Sequence, residues 1–92
     1  MSKIEKILAK WKSHPKFVEK EEVFSVLERF GFRVESKSGS HNIISHESLI
    51  GHPNFGLRGE FCIPVKHGRK VKGFYLKRVL EAIEIVQEEE GD

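Results

Sequence analysis

A histidine that follows a glycine turn is the residue of this sequence best suited to acid–base chemistry. His41 ends the tripeptide Gly-Ser-His and precedes Asn42-Ile43-Ile44, which begins a short predicted strand. An imidazole with a pKa near ~6.5 takes up and returns a proton at neutral pH. RNA carries its own nucleophile, the 2′-hydroxyl, so a base placed against it can promote cleavage without a metal ion. The alternative from this spacing alone is a surface histidine in a hairpin turn.

Basic residues that suit a polyanion follow the predicted third strand within a few positions. We expect them near the start of the last helix, where their charge adds to that of the backbone amides. Plain solvation of these side chains is the alternative. The cluster consists of Lys66, His67, Arg69, Lys70 and Lys72.

Further candidates for RNA contact lie on both sides of this cluster. Lys37, Gly39 and Ser40 adjoin His41, and a glycine lets the backbone approach a phosphate closely. His67 is in addition a candidate second acid or base. Lys77 and Arg78 would extend the basic patch. Aromatic rings stack on bases, and the candidates for this are Phe74 and Tyr75, with core packing as the alternative for at least one.

The other histidines and the single cysteine are not predicted to carry chemistry. His46 and His52 are expected to be structural or neutral. The histidines match no metal-ligand spacing, so we predict neither a metal nor any other cofactor. Cys62 alternates with Phe61 and Ile63 and should therefore face away from them, without a role as nucleophile.

Hydrophobic spacing predicts the elements that must position these residues. Apolar residues recur at helical spacing in 4–11, in 19–30 and from about 72–74 onward, and strand-like segments lie at 32–37, 42–45 and 60–66. Pro64 favours an edge position for the last strand. Residues 47–59 form the longest predicted loop. The order α-α-β-β-β-α predicts an α+β fold, with a three-stranded antiparallel sheet, helices on one face and the other face open.

Composition indicates a small cytoplasmic protein with an anionic partner. The 92 residues suffice for one domain, and no apolar run approaches the ~18 residues of a membrane helix. Cys62 is the only cysteine. Residues 1–80 contain 16 basic and 8 acidic residues, a net charge of +8, whereas residues 81–92 contain six acids and no lysine or arginine. A basic body with an acidic end favours an anionic ligand.

Four segments taken in order resemble the HicA toxin family. They are 27–32 (LERFGF), 39–44 (GSHNII), 63–68 (IPVKHG) and 76–80 (LKRVL). The similarity covers roughly residues 18–85, and residues 1–17 resemble an extension found in some members. We therefore divide the chain into an N-terminal helical extension, 1–17, and a HicA-like RNA-cleaving domain, 18–92.

The resemblance implies a fold similar to the double-stranded-RNA-binding domain. It implies a ribonuclease that cuts messenger RNA with His41 as the catalytic histidine, held inactive by an antitoxin of the HicB type. Two features depart from the family. Asn42 stands where members often have a second histidine, and the 47–59 loop is longer than a minimal hairpin requires.

The hypothesis from sequence is a metal-independent endoribonuclease toxin, in which His41 acts as general base or acid and basic residues hold the RNA. One rival is a non-catalytic RNA-binding module that uses the same basic face. A second rival is a small protein-interaction domain with no role in RNA binding.

Overall fold

Three α-helices and five strands make up the part of the chain that the computed structural model describes, residues 2–38 and 40–90. The helices are α1 (Lys3–Lys12), α2 (Lys20–Arg29) and α3 (Leu76–Glu90). The strands are β1 (Phe17–Glu19), β2 (Arg33–Ser38), β3 (His41–Ser45), β4 (Glu60–Pro64) and β5 (Lys70–Lys72). Two 3-10 turns, Glu47–Leu49 and Gly73–Tyr75, precede β4 and α3. Gly39 lies outside the described residues.

The larger sheet confirms the predicted α+β class with its three antiparallel strands. Its order is β2-β3-β4, so β3 is central and β4 lies at an edge, as Pro64 led us to expect. His41 pairs with Pro64, and Ile43 pairs with Cys62. On the other side of β3, a β-bulge between Ser36 and Ser38 shifts the register just before the turn.

A second, two-stranded sheet was not predicted. β1 and β5 pair antiparallel, with Val18 opposite Val71 and both side chains buried. Three-residue strands contain too little alternation to be recognised in the sequence, and these two are separated by 50 residues of chain. The predicted order of elements is therefore incomplete, since β5 stands between β4 and the last helix.

The core lies on one face of the larger sheet. Along β3, Asn42 and Ile44 are buried, whereas His41 is exposed and Ile43 is half-buried. Side chains of a strand alternate between its two faces, so the apolar residues of the sheet and of the three helices share one interior. This leaves His41 on the open face.

The first helix is joined to this core by its tryptophan. Trp11 is only 1% exposed, and its Nε1 donates to a carboxylate oxygen of Glu22 at 2.9 Å. Lys10 Nζ donates to the other oxygen of the same carboxylate at 2.8 Å. Residues 1–17 were predicted as an extension, and this boundary stays a prediction, but α1 contributes to the same core as α2 and α3.

The long loop between β3 and β4 is folded against α3. Leu49 and Phe55 are buried, and the Phe55 ring contacts that of Phe61 with 5.3 Å between centroids. Arg78 of α3 lies over the Phe55 ring at 5.7 Å. The loop thereby fixes Arg78, whose guanidinium belongs to the region described next.

Candidate nucleic-acid interface

His41 is an exposed side chain at the start of the central strand. The turn that precedes it is tied to the next strand, because Val65 N–H donates to the Ser40 carbonyl at 2.7 Å. His41 pairs with Pro64 across the sheet, on the face that the helices leave open. The imidazole is thus held on a paired strand and remains accessible to a ligand.

The Asn42 side chain points to the opposite face from His41 and has a structural role. Its side chain is buried, and Nδ2 donates to the Ile63 carbonyl at 3.3 Å and to the Ser40 carbonyl at 3.4 Å. The two bonds connect the turn before His41 to β4. A second histidine at position 42, as the family resemblance suggested, would therefore point into the core and away from His41.

A groove of about 450 Å³ opens where edge strand β4 meets the start of α3, and His41, on the adjacent strand β3, is not among its lining residues. Cys62 is exposed and lines it, which confirms the predicted orientation opposite Phe61 and Ile63. Because Pro64 is the cross-strand partner of His41, Cys62 is its diagonal neighbour, at roughly 7–8 Å on the same face. The other lining residues are Asn54, Phe74, Tyr75, Lys77, Arg78 and Glu81.

The predicted basic cluster forms a hairpin turn. Lys66 and Lys70 exchange backbone hydrogen bonds of 2.6 and 2.8 Å. His67 and Gly68 both have positive φ, 53° and 74°, the geometry of turns that connect antiparallel strands. Lys66, His67 and Arg69 therefore project from a turn, separated from the last helix by β5 and a 3-10 turn. The sequence predicted that the whole cluster lies near the start of the last helix, and in the chain only Lys72 directly precedes the 3-10 turn that leads into α3.

The cations of this cluster differ in their surroundings. Lys70 Nζ lies 3.5 Å from a carboxylate oxygen of Glu19, which neutralises part of its charge. Lys72 lies beside Lys66, and a hydrogen bond to the Lys66 side chain, together with its positive charge, lowers the pKa of Lys72. The Lys72 ammonium also lies 5.8 Å from the centre of the Phe74 ring.

The remaining predicted residues take simpler positions. Lys37 is exposed on β2 at the bulge, and Ser40 is exposed in the turn. His46 Nδ1 accepts from the Ser48 N–H at 2.9 Å, and His52 Nδ1 accepts from the Asn54 N–H at 3.4 Å. Both side chains thus hold local backbone, in line with the structural role expected of them.

Two features of this region escaped prediction from sequence. One is the proximity of Lys66 to Lys72, which depends on the hairpin between β4 and β5. The other is the exposure of Phe17, 44%. Of the two stacking candidates from sequence, Phe74 is 68% exposed on a 3-10 turn, and Tyr75 packs against the core.

No protein-family model matches the sequence, and neither the curated proteins nor the solved structures contain a match. Within residues 2–38 and 40–90, no three or more His, Cys, Asp or Glu residues are grouped so as to hold a metal ion. None of the described helices has the length and apolar character needed to cross a membrane.

Proposed function

We propose that this protein is an endoribonuclease of the HicA toxin type, which cleaves messenger RNA in the cytoplasm without a metal ion. The observation that carries the proposal is the position of His41. It lies on the open face of the sheet, one strand away from a groove that combines aromatic rings with Lys77 and Arg78. An accessible acid–base group near a cationic, aromatic groove suits RNA, which is a polyanion with stacking bases.

The proposed reaction uses the RNA's own 2′-hydroxyl. A ring nitrogen of His41 removes the hydroxyl proton, and the 2′-oxygen attacks the adjacent phosphorus. The bond between phosphorus and the 5′-oxygen breaks, leaving a 2′,3′-cyclic phosphate, and the imidazolium returns the proton to the departing 5′-oxygen, which becomes a free hydroxyl. Lys66 and Lys72 would stabilise the additional negative charge on the phosphate oxygens.

The same proposal includes a partner and a fold relationship. The fold would be a variant of the double-stranded-RNA-binding domain, with β1 and β5 as additions. An antitoxin of the HicB type would inhibit by covering His41 or by placing carboxylates against the cations around it. A complex that leaves both His41 and the 66–72 hairpin open would contradict this mode of inhibition.

Substitution of His41 tests the proposal. His41→Ala should reduce RNA cleavage by at least about 100-fold, the scale of lost acid–base catalysis, and should relieve growth inhibition. The fold should persist because the side chain is exposed. His14→Asn is the matched control, since His14 is also an exposed histidine, and asparagine tolerates its positive φ of 63°.

Two further experiments test the mechanism. Cleavage should continue in the presence of a chelator. A substrate with 2′-deoxy sugars throughout should resist cleavage, because the nucleophile is missing. Unchanged cleavage by His41→Ala would refute the assignment. If neither the wild-type protein nor the His41→Ala variant cleaves RNA and both bind it equally well, the protein is a non-catalytic RNA-binding module.

A further inference from the structure

Two exposed aromatic rings flank Lys72 at the edge of the small sheet. Phe17 is the cross-strand partner of Lys72 and is 44% exposed. Phe74 follows two residues later, is 68% exposed, and has the Lys72 ammonium 5.8 Å from its ring centre. Tyr75 packs against Phe74, with 4.3 Å between ring centroids and 31° between planes, and thereby restricts the orientation of the Phe74 ring. Large apolar rings at this exposure are available to a ligand.

Two positive charges are held together in the same place. Lys66 pairs with Lys70 across the hairpin, so Lys72, two residues further along β5, is the diagonal neighbour of Lys66 on the same face. The Lys66 side chain lowers the pKa of Lys72 through hydrogen bonding and through its positive charge. In the described ranges 2–38 and 40–90, no carboxylate forms an ion pair with either side chain, whereas the neighbouring Lys70 has Glu19. A bound anion would remove the repulsion between Lys66 and Lys72.

A surface on which aromatic rings alternate with cations is chemically complementary to a single strand of nucleic acid. Its phosphates require cations at intervals along the backbone, and its unpaired bases have flat faces that stack on aromatic side chains. A duplex keeps its bases stacked inside and offers no face to Phe74. A purely acidic partner protein would use the lysines but would not require exposed rings between them.

We propose that Phe74 is a base-stacking platform and that Lys66 and Lys72 form a phosphate clamp for a single strand of RNA. Phe74 lines the groove together with Cys62, the diagonal neighbour of His41, and the Lys72 ammonium lies 5.8 Å from the centre of the Phe74 ring. The role of the strand as substrate rests on the proposed ribonuclease function, but its binding does not. Stacking and charge do not distinguish RNA from DNA, so single-stranded DNA should bind as an uncleaved competitor.

The experiment measures binding of fluorescent 12-nucleotide RNA and DNA single strands by anisotropy. All proteins carry His41→Ala, so that the RNA stays intact. Loss of one stacked base lowers affinity by about 5- to 100-fold, which is the expectation for Phe74→Ala. Phe74→Tyr should restore most of the affinity. The double substitution Lys66→Gln and Lys72→Gln should weaken binding. It should also reduce the slope of log affinity against log salt concentration by about 0.7 for each phosphate contact that is lost.

Two matched controls separate the platform from general surface effects. Leu57→Ala removes an apolar side chain that is 88% exposed, and Lys12→Gln removes an exposed cation of α1. Neither should change affinity appreciably. Phe74→Ala behaving like Leu57→Ala would overturn the proposal, as would strong binding of RNA with none of DNA. Tighter binding of an acidic protein than of any single strand would show that the surface serves a protein partner instead.

Binding and cleavage measurements together also distinguish the stacking-platform proposal from the proposed ribonuclease function. If both single strands bind through Phe74 but the protein with His41 intact does not cleave, the ribonuclease assignment fails and the platform stands. If the protein with His41 intact cleaves RNA and Phe74→Ala cleaves as fast at subsaturating RNA, the platform fails and the ribonuclease assignment stands.

Discussion

His41 and Asn42 are adjacent residues with opposite tasks. The pleat of β3 turns Asn42 into the core, where its amide bonds to backbone carbonyls of the turn and of β4. The same pleat turns His41 outward, free of any role in packing. A polar residue that a strand exposes at no structural cost is available for chemistry, whereas its buried neighbour maintains the backbone on which that chemistry depends.

Glu22 is the residue at which pH should act on stability. Burial raises the pKa of Glu22, but hydrogen bonds from Lys10 and Trp11, and the charge of Lys10, outweigh burial and keep the pKa below its ordinary value. A carboxylate with a lowered pKa stabilises the fold above about pH 4.5, and this contribution is lost as pH falls through the folded-state pKa.

Glu22→Gln should accordingly lower the free energy of unfolding at pH 7 by about 1–2 kcal/mol, the scale of a hydrogen bond to a charged group. The difference from wild type should shrink at pH 3, which lies below the ordinary carboxyl pKa of about 4.5, because the unfolded state then takes up a proton. Urea unfolding at the two pH values measures both quantities. The control is Glu21→Gln, because Glu21 is an exposed neighbour. If Glu22→Gln lowers the free energy of unfolding equally at both pH values, the charge-based explanation is wrong.

At the scale of elements, the 3-10 turn Gly73–Tyr75 determines where Phe74 points. Gly73 N–H donates to the Lys16 carbonyl at 2.8 Å, so the turn lies directly against the connection between α1 and β1. A Cβ atom on Gly73 would lie 1.7 Å from the Pro15 carbonyl oxygen, far inside contact distance. Only glycine permits this approach, and the first segment of the chain thereby positions the proposed stacking platform.

Gly73→Ala should therefore displace the turn, cost roughly 1–3 kcal/mol of stability and weaken binding of single-stranded RNA. Gly51→Ala, in the 47–59 loop, is the control. A Cβ there meets nothing within 4 Å, and only its positive φ of 81° penalises alanine. Thermal unfolding and anisotropy on both variants give the comparison. Equal RNA affinity in the Gly73→Ala and wild-type proteins would show that the turn does not position Phe74.

Sequence alone predicted the elements whose residues repeat a pattern over a sufficient length. The α2 helix at Lys20–Arg29 and the three strands of the larger sheet agree with their predicted positions to within two residues. β1 and β5 could not be predicted, because each is stabilised by a partner remote in sequence rather than by its own periodicity. The proximity of Lys66 to Lys72 does not follow from local pattern either, since it depends on the hairpin between β4 and β5. His41 as the candidate catalytic residue stays a prediction.

The whole molecule has an uneven distribution of charge. Residues 1–80 carry +8, whereas Glu84, Glu88 and Glu89 are exposed on the second half of α3. Lys77 and Arg78 lie on its first turn, roughly 9–18 Å from these carboxylates along the axis at 1.5 Å per residue. The helix therefore has cations at the groove and acids at its far end. Such a dipolar arrangement orients the protein as it approaches a polyanion.

This arrangement predicts an effect that depends on salt concentration. Replacing Glu88 and Glu89 by glutamine removes repulsion that acts from roughly 15–18 Å along the helix from Lys77 and Arg78. At 0.01 M salt, where the Debye length is about 30 Å, affinity for single-stranded RNA should rise by about two- to fivefold. At 0.15 M, where the length is about 8 Å, affinity should be unchanged. Lys66→Gln with Lys72→Gln should weaken binding at both concentrations, because these cations would contact phosphates directly. Anisotropy titrations at the two salt concentrations make the comparison; an equal gain at both for the glutamine variant would mean that the acidic end of α3 contacts the RNA path itself.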